Sequence, residues 1–191
     1  MDAGVFERSA DTLTVMMGEE TFHPDTRALL AYGRALAGAA APPKKGGADQ
    51  VLERLFVLER TADGRMPLRT FGGDLVKLFG RDLREHDFGR FFLAPDLALL
   101  NALIDASVAA NEPGIARVAA ITMSGRMLGA EILLTPLKVD KSLGSRFLGL
   151  FQALGGEPFL DGKPIYRLRI GSLHPPAAKE PKGMRLVVVN D

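Results

Sequence analysis

The dipeptide Asp63–Gly64 constrains this chain more than any other feature. It stands between an apolar run, Leu52 with Leu55–Phe56–Val57–Leu58, and a stretch in which Met66, Leu68 and Thr70 alternate with Arg65, Pro67 and Arg69. Asp-Gly accepts the positive φ values of a two-residue hairpin loop, so the flanking segments are predicted to pair as antiparallel strands. Pro67 has no N–H to donate and belongs at a strand start or an edge. A second hairpin is predicted where Ser124–Gly125–Arg126 joins residues 116–123 to residues 127–137. Gly129 there marks a bulge or a close approach. Residues 146–154 read as a further apolar strand, and Tyr166, Leu168 and Ile170 alternate with Arg167 and Arg169 in one more.

Between the hairpins the signals are helical. Asp74 is placed to cap a short helix holding Leu75, Val76, Leu78 and Phe79, with Gly80 as its stop. Residues 81–92 read as a second short helical stretch carrying Leu83, Phe88, Phe91 and Phe92. Pro95 opens the longest helix. Its apolar stripe is Leu97, Leu100, Ile104 and Val108, and Asn111–Glu112–Pro113–Gly114 ends it. Two hairpins with a helical crossover between them predict an α+β fold around an antiparallel sheet.

The flanks differ in character. Residues 1–22 are polar and mixed, with an acidic pair at Glu19–Glu20. Residues 24–38 predict an amphipathic helix: Pro24 suits its first turn, Leu29, Tyr32 and Leu36 share one face, and Arg27 and Arg34 lie opposite. Pro42–Pro43–Lys44–Lys45–Gly46–Gly47 reads as a linker. The expected organisation is an arm, helix and linker over 1–47, a compact domain over 48–155 and an extension over 156–191. The extension closes on the apolar run Leu186–Val187–Val188–Val189.

Composition removes several function classes. With 24 Lys+Arg against 23 Asp+Glu, a net charge of +1 carries no basic excess for nucleic acid. Zero cysteines exclude a disulfide framework, a thiolate metal site, a thiol nucleophile and cysteinyl-flavin chemistry. No stretch approaches the roughly 18 apolar residues of a membrane span, and the N-terminus lacks a secretory pattern. A soluble cytoplasmic protein is expected.

The order strand, strand, short helices, longer helix, strand, strand, strand resembles that of a PAS domain. Leu78-Phe79-Gly80-Arg81-Asp82-Leu83 followed by Asp87-Phe88 resembles the segment of that family in which an LFG turn leads into the domain's middle. The whole stretch from Arg65 to Leu154, with its hairpin strand running Gly125-Arg126-Met127 to Thr135-Pro136-Leu137, resembles an alphaproteobacterial single-domain PAS subfamily. The His23-Pro24-Asp25 helix and the Leu168-Arg169-Ile170 strand resemble that subfamily's flanks. Lys44-Lys45-Gly46-Gly47 departs from its usual aromatic and Pro-Arg junction. The resemblance implies a curved antiparallel sheet with helices on one face, and a cavity between them that holds a small ligand or is packed with side chains. It also implies a non-enzymatic regulatory module. Such a module acts on a signalling protein such as a histidine kinase or a polarity factor, the alternative being a sensor of a metabolite or nucleotide.

Candidate chemistry is sparse. The helix from Pro95 carries no His for a haem, and His86 beside Glu85 and Asp87 reads as a solvated histidine. Asp82 and His86 share a helical face but make no metal set, and no Gly-x-Ser-x-Gly elbow or phosphate loop is present. No catalytic residue, metal or haem is expected, and a non-covalent small ligand is the only cofactor left open. The expected pocket wall is Phe71, Phe79, Phe88, Phe92, Leu97, Leu100, Ile104, Val118 and Leu133, with Asn101 as the one inward polar group. Leu29, Tyr32 and Leu36 are expected to form a homodimer or partner face.

Overall fold

The computed structural model describes residues 21–36, 51–137 and 145–177. Six strands form one antiparallel sheet: β1 (Leu55–Arg60), β2 (Leu68–Phe71), β3 (Gly114–Thr122), β4 (Met127–Leu137), β5 (Ser145–Ala153) and β6 (Ile165–His174). Their order across the sheet is β2-β1-β5-β4-β3-β6. Among the described residues the α-helices α1 (Pro24–Leu36), α2 (Gly73–Phe79) and α3 (Ala94–Ala110) accompany them. The fold is α+β, as the two hairpins require.

Both hairpins form, the first through a longer loop than expected and the second through a loop of the expected three residues, shifted by one to 123–125. In each, the residue before a three-residue loop pairs with the residue after it: Thr61 N donates to the Arg65 carbonyl and Thr122 N to the Arg126 carbonyl. Only Gly64 and Gly125, both at φ +81°, take the left-handed conformation, so the loops are type I turns closed by a glycine bulge. Asp63 keeps a negative φ, and its carboxylate bonds the Thr61 hydroxyl instead. Pro67 immediately precedes the edge strand β2.

The segment expected as a second short helix is irregular up to Asp87, with one 3-10 turn over Phe88–Phe91. Its backbone is already committed elsewhere. Leu68 N donates to the His86 carbonyl, and Glu85 N to that of Leu68. The Asp87 carboxylate accepts from Met66 N at 2.9 Å and Gly89 N at 3.1 Å, which caps the 3-10 turn and ties it to the hairpin. Asp74 does not cap α2. Gly72 is the capping residue, and the Glu53 carboxylate accepts from Gly73 N at 2.9 Å. Gly72 packs on the Glu53 backbone so closely that a Cβ would sit 2.2 Å from its carbonyl oxygen, which explains the glycine pair.

One core fills the space between the sheet's inner face, α2, the 3-10 turn and α3. The buried face of α3 is Leu100, Leu103, Ile104 and Ser107, so Val108, expected on it, is 44% exposed. A second core lies on the outer face, where Leu29 and Leu30 of α1 pack with Phe22 on Ile115, Leu133 and Leu150. The helices therefore occupy both faces of the sheet. Burying each such side chain stabilises by about 1.5–3 kcal/mol, so α1 is part of the fold rather than an appendage. β6 likewise completes the sheet: it pairs with β3, and its Ile165 and Leu168 are buried in the inner core. The expected linker and the Leu186–Val189 run lie outside the described residues.

Candidate functional site

Two places on this sheet carry candidate function. The first is an apolar slot on the inner face with about 10 Å³ of free room, about enough for one water. Phe56 of β1, Phe151 of β5 and Phe79 of α2 form its walls with Phe88 and Phe91 of the 3-10 turn, and Leu68, Leu75 and Leu83 complete it. The rings touch one another. Phe79 meets Phe91 at 4.7 Å and Phe151 at 5.7 Å between centroids, and Phe88 meets Phe56 at 5.3 Å and Phe92 at 5.5 Å. The Arg81 guanidinium lies 5.2 Å over the Phe91 ring. Pockets for drug-sized ligands run to roughly 300–1,000 Å³ and present a few polar groups, whereas every side chain lining this slot is apolar.

Of the residues expected to line a pocket, Phe79 and Phe88 line this one. Phe92, Leu100, Ile104 and Val118 belong to the same core but stand away from the slot, with Phe71 and Leu97 packed at its margin. Asn101 is half-exposed on α3, beside the buried stripe rather than in it. Leu133 is on the opposite face: Ile132 and Leu134 alternate with it along β4 and point into the inner core. The sequence reading missed Phe56 of β1 and Phe151 of β5. β1 and β5 are apolar on both faces, so no alternation revealed which side each ring takes.

The second place is a polar row across the outer face, at the start of α1. The register sets Ser172, Arg117, Glu131 and Gln152 side by side on β6, β3, β4 and β5. The Glu131 carboxylate is fully buried. It accepts from Arg117 Nε at 3.3 Å and from His23 N at 3.1 Å. Arg117 also donates to the Thr21 carbonyl at 2.5 Å and stacks 5.1 Å over Phe22. Arg54 bridges the Gln152 side chain to the Asp25 carboxylate, the latter at 3.0 Å. His174 meets the Phe22 ring edge-on at 4.9 Å and shares a 3.0 Å hydrogen bond with Ser172. Burial, and then the charge of Arg117, hold its imidazole below the usual range, while Glu131 pulls the other way. This row fastens the entrance of α1 to the sheet. No periodicity signals it, because its members come from six separate elements.

The expected dimer face divides. Leu29 is buried under α1, whereas Tyr32 and Leu36 remain 42% and 44% exposed. His86 is exposed in an irregular loop, where Asp82 accepts from Arg84 N rather than sharing a helical face with it. Among the described residues no three of His, Asp and Glu converge as a metal site requires.

A family model for the PAS domain matches residues 21–152, from the polar row's Thr21 to its Gln152. The chain belongs to the PAS domain family. The match takes in α1 and stops short of β6. Solved structures similar to this PAS domain include a light-oxygen-voltage domain studied with a flavin analogue, 13% identical, covering 59% of this chain and 85% of that one at a TM-score of 0.42. The Rhodobacter sphaeroides LOV protein is 15% identical over 58% of this chain and 66% of that one, at 0.43. The light-state structure of the Aureochrome1 LOV photoreceptor is 13% identical over 66% and 91%, at 0.42. No curated protein matches the sequence. PAS domains are sensory modules of signal transduction, and among the described residues no helix of this one is long and apolar enough to cross a membrane.

Proposed function

We propose that this PAS domain is a non-enzymatic regulatory module that acts from the cytoplasm by binding another signalling protein, of the histidine-kinase or polarity-factor kind. The observation that carries this reading is the inner slot. Its own phenylalanines fill it, and no polar group points in to recognise a ligand. A metabolite or nucleotide needs directional partners for its polar atoms, since a buried polar group left unpaired is costly. What stays accessible is surface, including Tyr32 and Leu36 on α1, whose small area supports only a weak, concentration-dependent homodimer. Native mass spectrometry of the purified full chain tests the reading. The expected result is the bare protein mass and a colourless sample. A small molecule bound at near-stoichiometric occupancy, or a visible absorption band, would overturn it in favour of a ligand sensor.

A further inference from the structure

The most exposed apolar side chains gather at one end of the sheet. Met123 is 75% exposed, Phe159 74% and Met127 65%, more than any other large apolar side chain among the described residues. Tyr166 and Leu154 stand at the same end at 50% and 46%. Pairing brings them together from separate parts of the chain. Met123 is in the turn between β3 and β4, and Ile121 before it pairs with Met127 on one side and Arg167 on the other. Leu154 N donates to the Gly129 carbonyl at 2.8 Å. Phe159 belongs to a 3-10 turn, Glu157–Leu160, that packs on β4.

Both turns are held in place. The Thr122 hydroxyl accepts from Arg126 N at 3.1 Å and shares a 2.9 Å hydrogen bond with Ser124, which closes the first turn. Arg126 donates to the Phe159 carbonyl at 2.9 Å and pairs with Asp161 at 3.5 Å, which ties the second turn to the first. At three-quarters exposure, Met123 and Phe159 project from these turns instead of lining a groove. Clustered apolar groups of this kind mark a contact surface.

Charge selects what the surface contacts. Asp161 is already paired with Arg126, whereas Lys163, Arg167 and Arg169 have no acidic partner among the described residues. Arg167 rests 5.3 Å over the Tyr166 ring, and Glu157 is left as the opposing carboxylate. The cationic excess disfavours a second copy of the same end, whose cations would repel these, and favours an anionic surface. A protein would need a matching pocket for each projecting side chain. A bilayer interface receives such side chains at any spacing, while Lys and Arg meet anionic headgroups.

We propose that the end of the sheet carrying Met123, Met127 and Phe159 docks this domain on an anionic lipid surface, with Lys163, Arg167 and Arg169 against the headgroups. The contact is peripheral and reversible, because few apolar groups enter and each Lys or Arg adds about fivefold in affinity. It leaves the inner slot and α1 free, so it is separable from the regulatory role proposed above.

Sedimentation of the full chain with vesicles tests the docking. Vesicles of phosphatidylcholine alone should leave the protein in solution, and vesicles that also contain phosphatidylglycerol should carry it down. Met123→Ser with Phe159→Ser should weaken binding about tenfold at unchanged melting temperature, and so should Arg167→Gln with Arg169→Gln. Leu36→Ser, at the end of α1 that runs away from this site toward Thr135, should bind like the wild type. No sedimentation with either vesicle would overturn the proposal and point to an acidic protein surface instead. Equal sedimentation with both vesicles, or undiminished binding by both double variants, would overturn it as well. So would a wild-type dimer that Met123→Ser with Phe159→Ser converts to monomer, by naming a second copy as the occupant.

Discussion

Phe88 touches the rings of Phe56, Phe91 and Phe92, is 3% exposed, and lines the slot as well as the core. Phe88→Ala should cost about 3–5 kcal/mol in a denaturant melt, since transfer and cavity terms add. A loss below about 1 kcal/mol would mean the ring is not a packing element. Arg117 matters for a different reason. Replacing it with Met leaves the fully buried Glu131 carboxylate without its cation, and breaking a buried pair from one side costs about 3–5 kcal/mol. Arg117 is itself partly exposed, so the low end is expected, and a Glu131→Gln, Arg117→Met double variant should recover part of it. An additive double variant would show that the two side chains do not couple. His174 carries the pH dependence of the same row. Its unfolded imidazole titrates near 6.5 and the folded one lower, so between those values only the unfolded chain takes up the proton. Stability should fall as pH drops through that window, and His174→Gln should flatten the difference in melting temperature between about pH 7.5 and about pH 5.5. Equal slopes in both proteins would remove His174 as the cause.

Among the elements, α1 shows what a sequence hides. Its existence and start at Pro24 were legible from the proline, Asp25 and the apolar spacing. Its destination was not, because a helical wheel gives a face but not the surface that receives it. Leu29, Tyr32 and Leu36 share a stripe, but the buried side is Thr26, Leu29, Leu30 and Gly33, turned toward the sheet by the polar row at one end and by Gly33 at the other. A Cβ on Gly33 would lie 2.6 Å from Pro113 Cγ and 2.7 Å from Thr135 Oγ1. Gly33→Val should therefore lift α1 and cost about 1–3 kcal/mol as overpacking. Leu36→Ala, on the exposed side, should stay within about 0.5 kcal/mol of the wild type. If both variants melt alike, the sheet does not hold α1 in this pose. The same limit explains the slot. Strand positions were readable from apolar runs and glycine turns, but β1 and β5 are apolar on both faces, so only the register assigns Phe56 and Phe151 inward. The irregular residues before Phe88 were misread because the Asp82 and Asp87 carboxylates accept from the backbone N–H two residues on, which competes with helix formation, and because Glu85 and His86 pair with the Leu68 backbone in a tertiary contact invisible to local pattern.

At the scale of the molecule, the extent of the folding unit is the open question that β6 answers. A domain ending near residue 155 would keep five strands and the whole family match, but it would leave β3 as a naked edge. β6 covers that edge from Ile165 to His174 and sends Ile165 and Leu168, exposed by 1% and 0%, into the same core as Phe147 and Phe151. Two such side chains account for about 3–6 kcal/mol, at about 1.5–3 kcal/mol each, which is comparable to the whole stability of a small domain. An unpaired long edge also invites pairing between chains. Residues 21–177 should therefore give a dispersed amide spectrum and a single cooperative melt. Residues 21–155 should give a collapsed, dye-binding state or aggregate, with secondary structure retained and fixed packing lost. A cooperative melt of residues 21–155 within about 2 °C of the longer chain would show that β6 contributes almost nothing, since a loss of only 1 kcal/mol shifts the midpoint of a domain this size by about 2–4 °C or more.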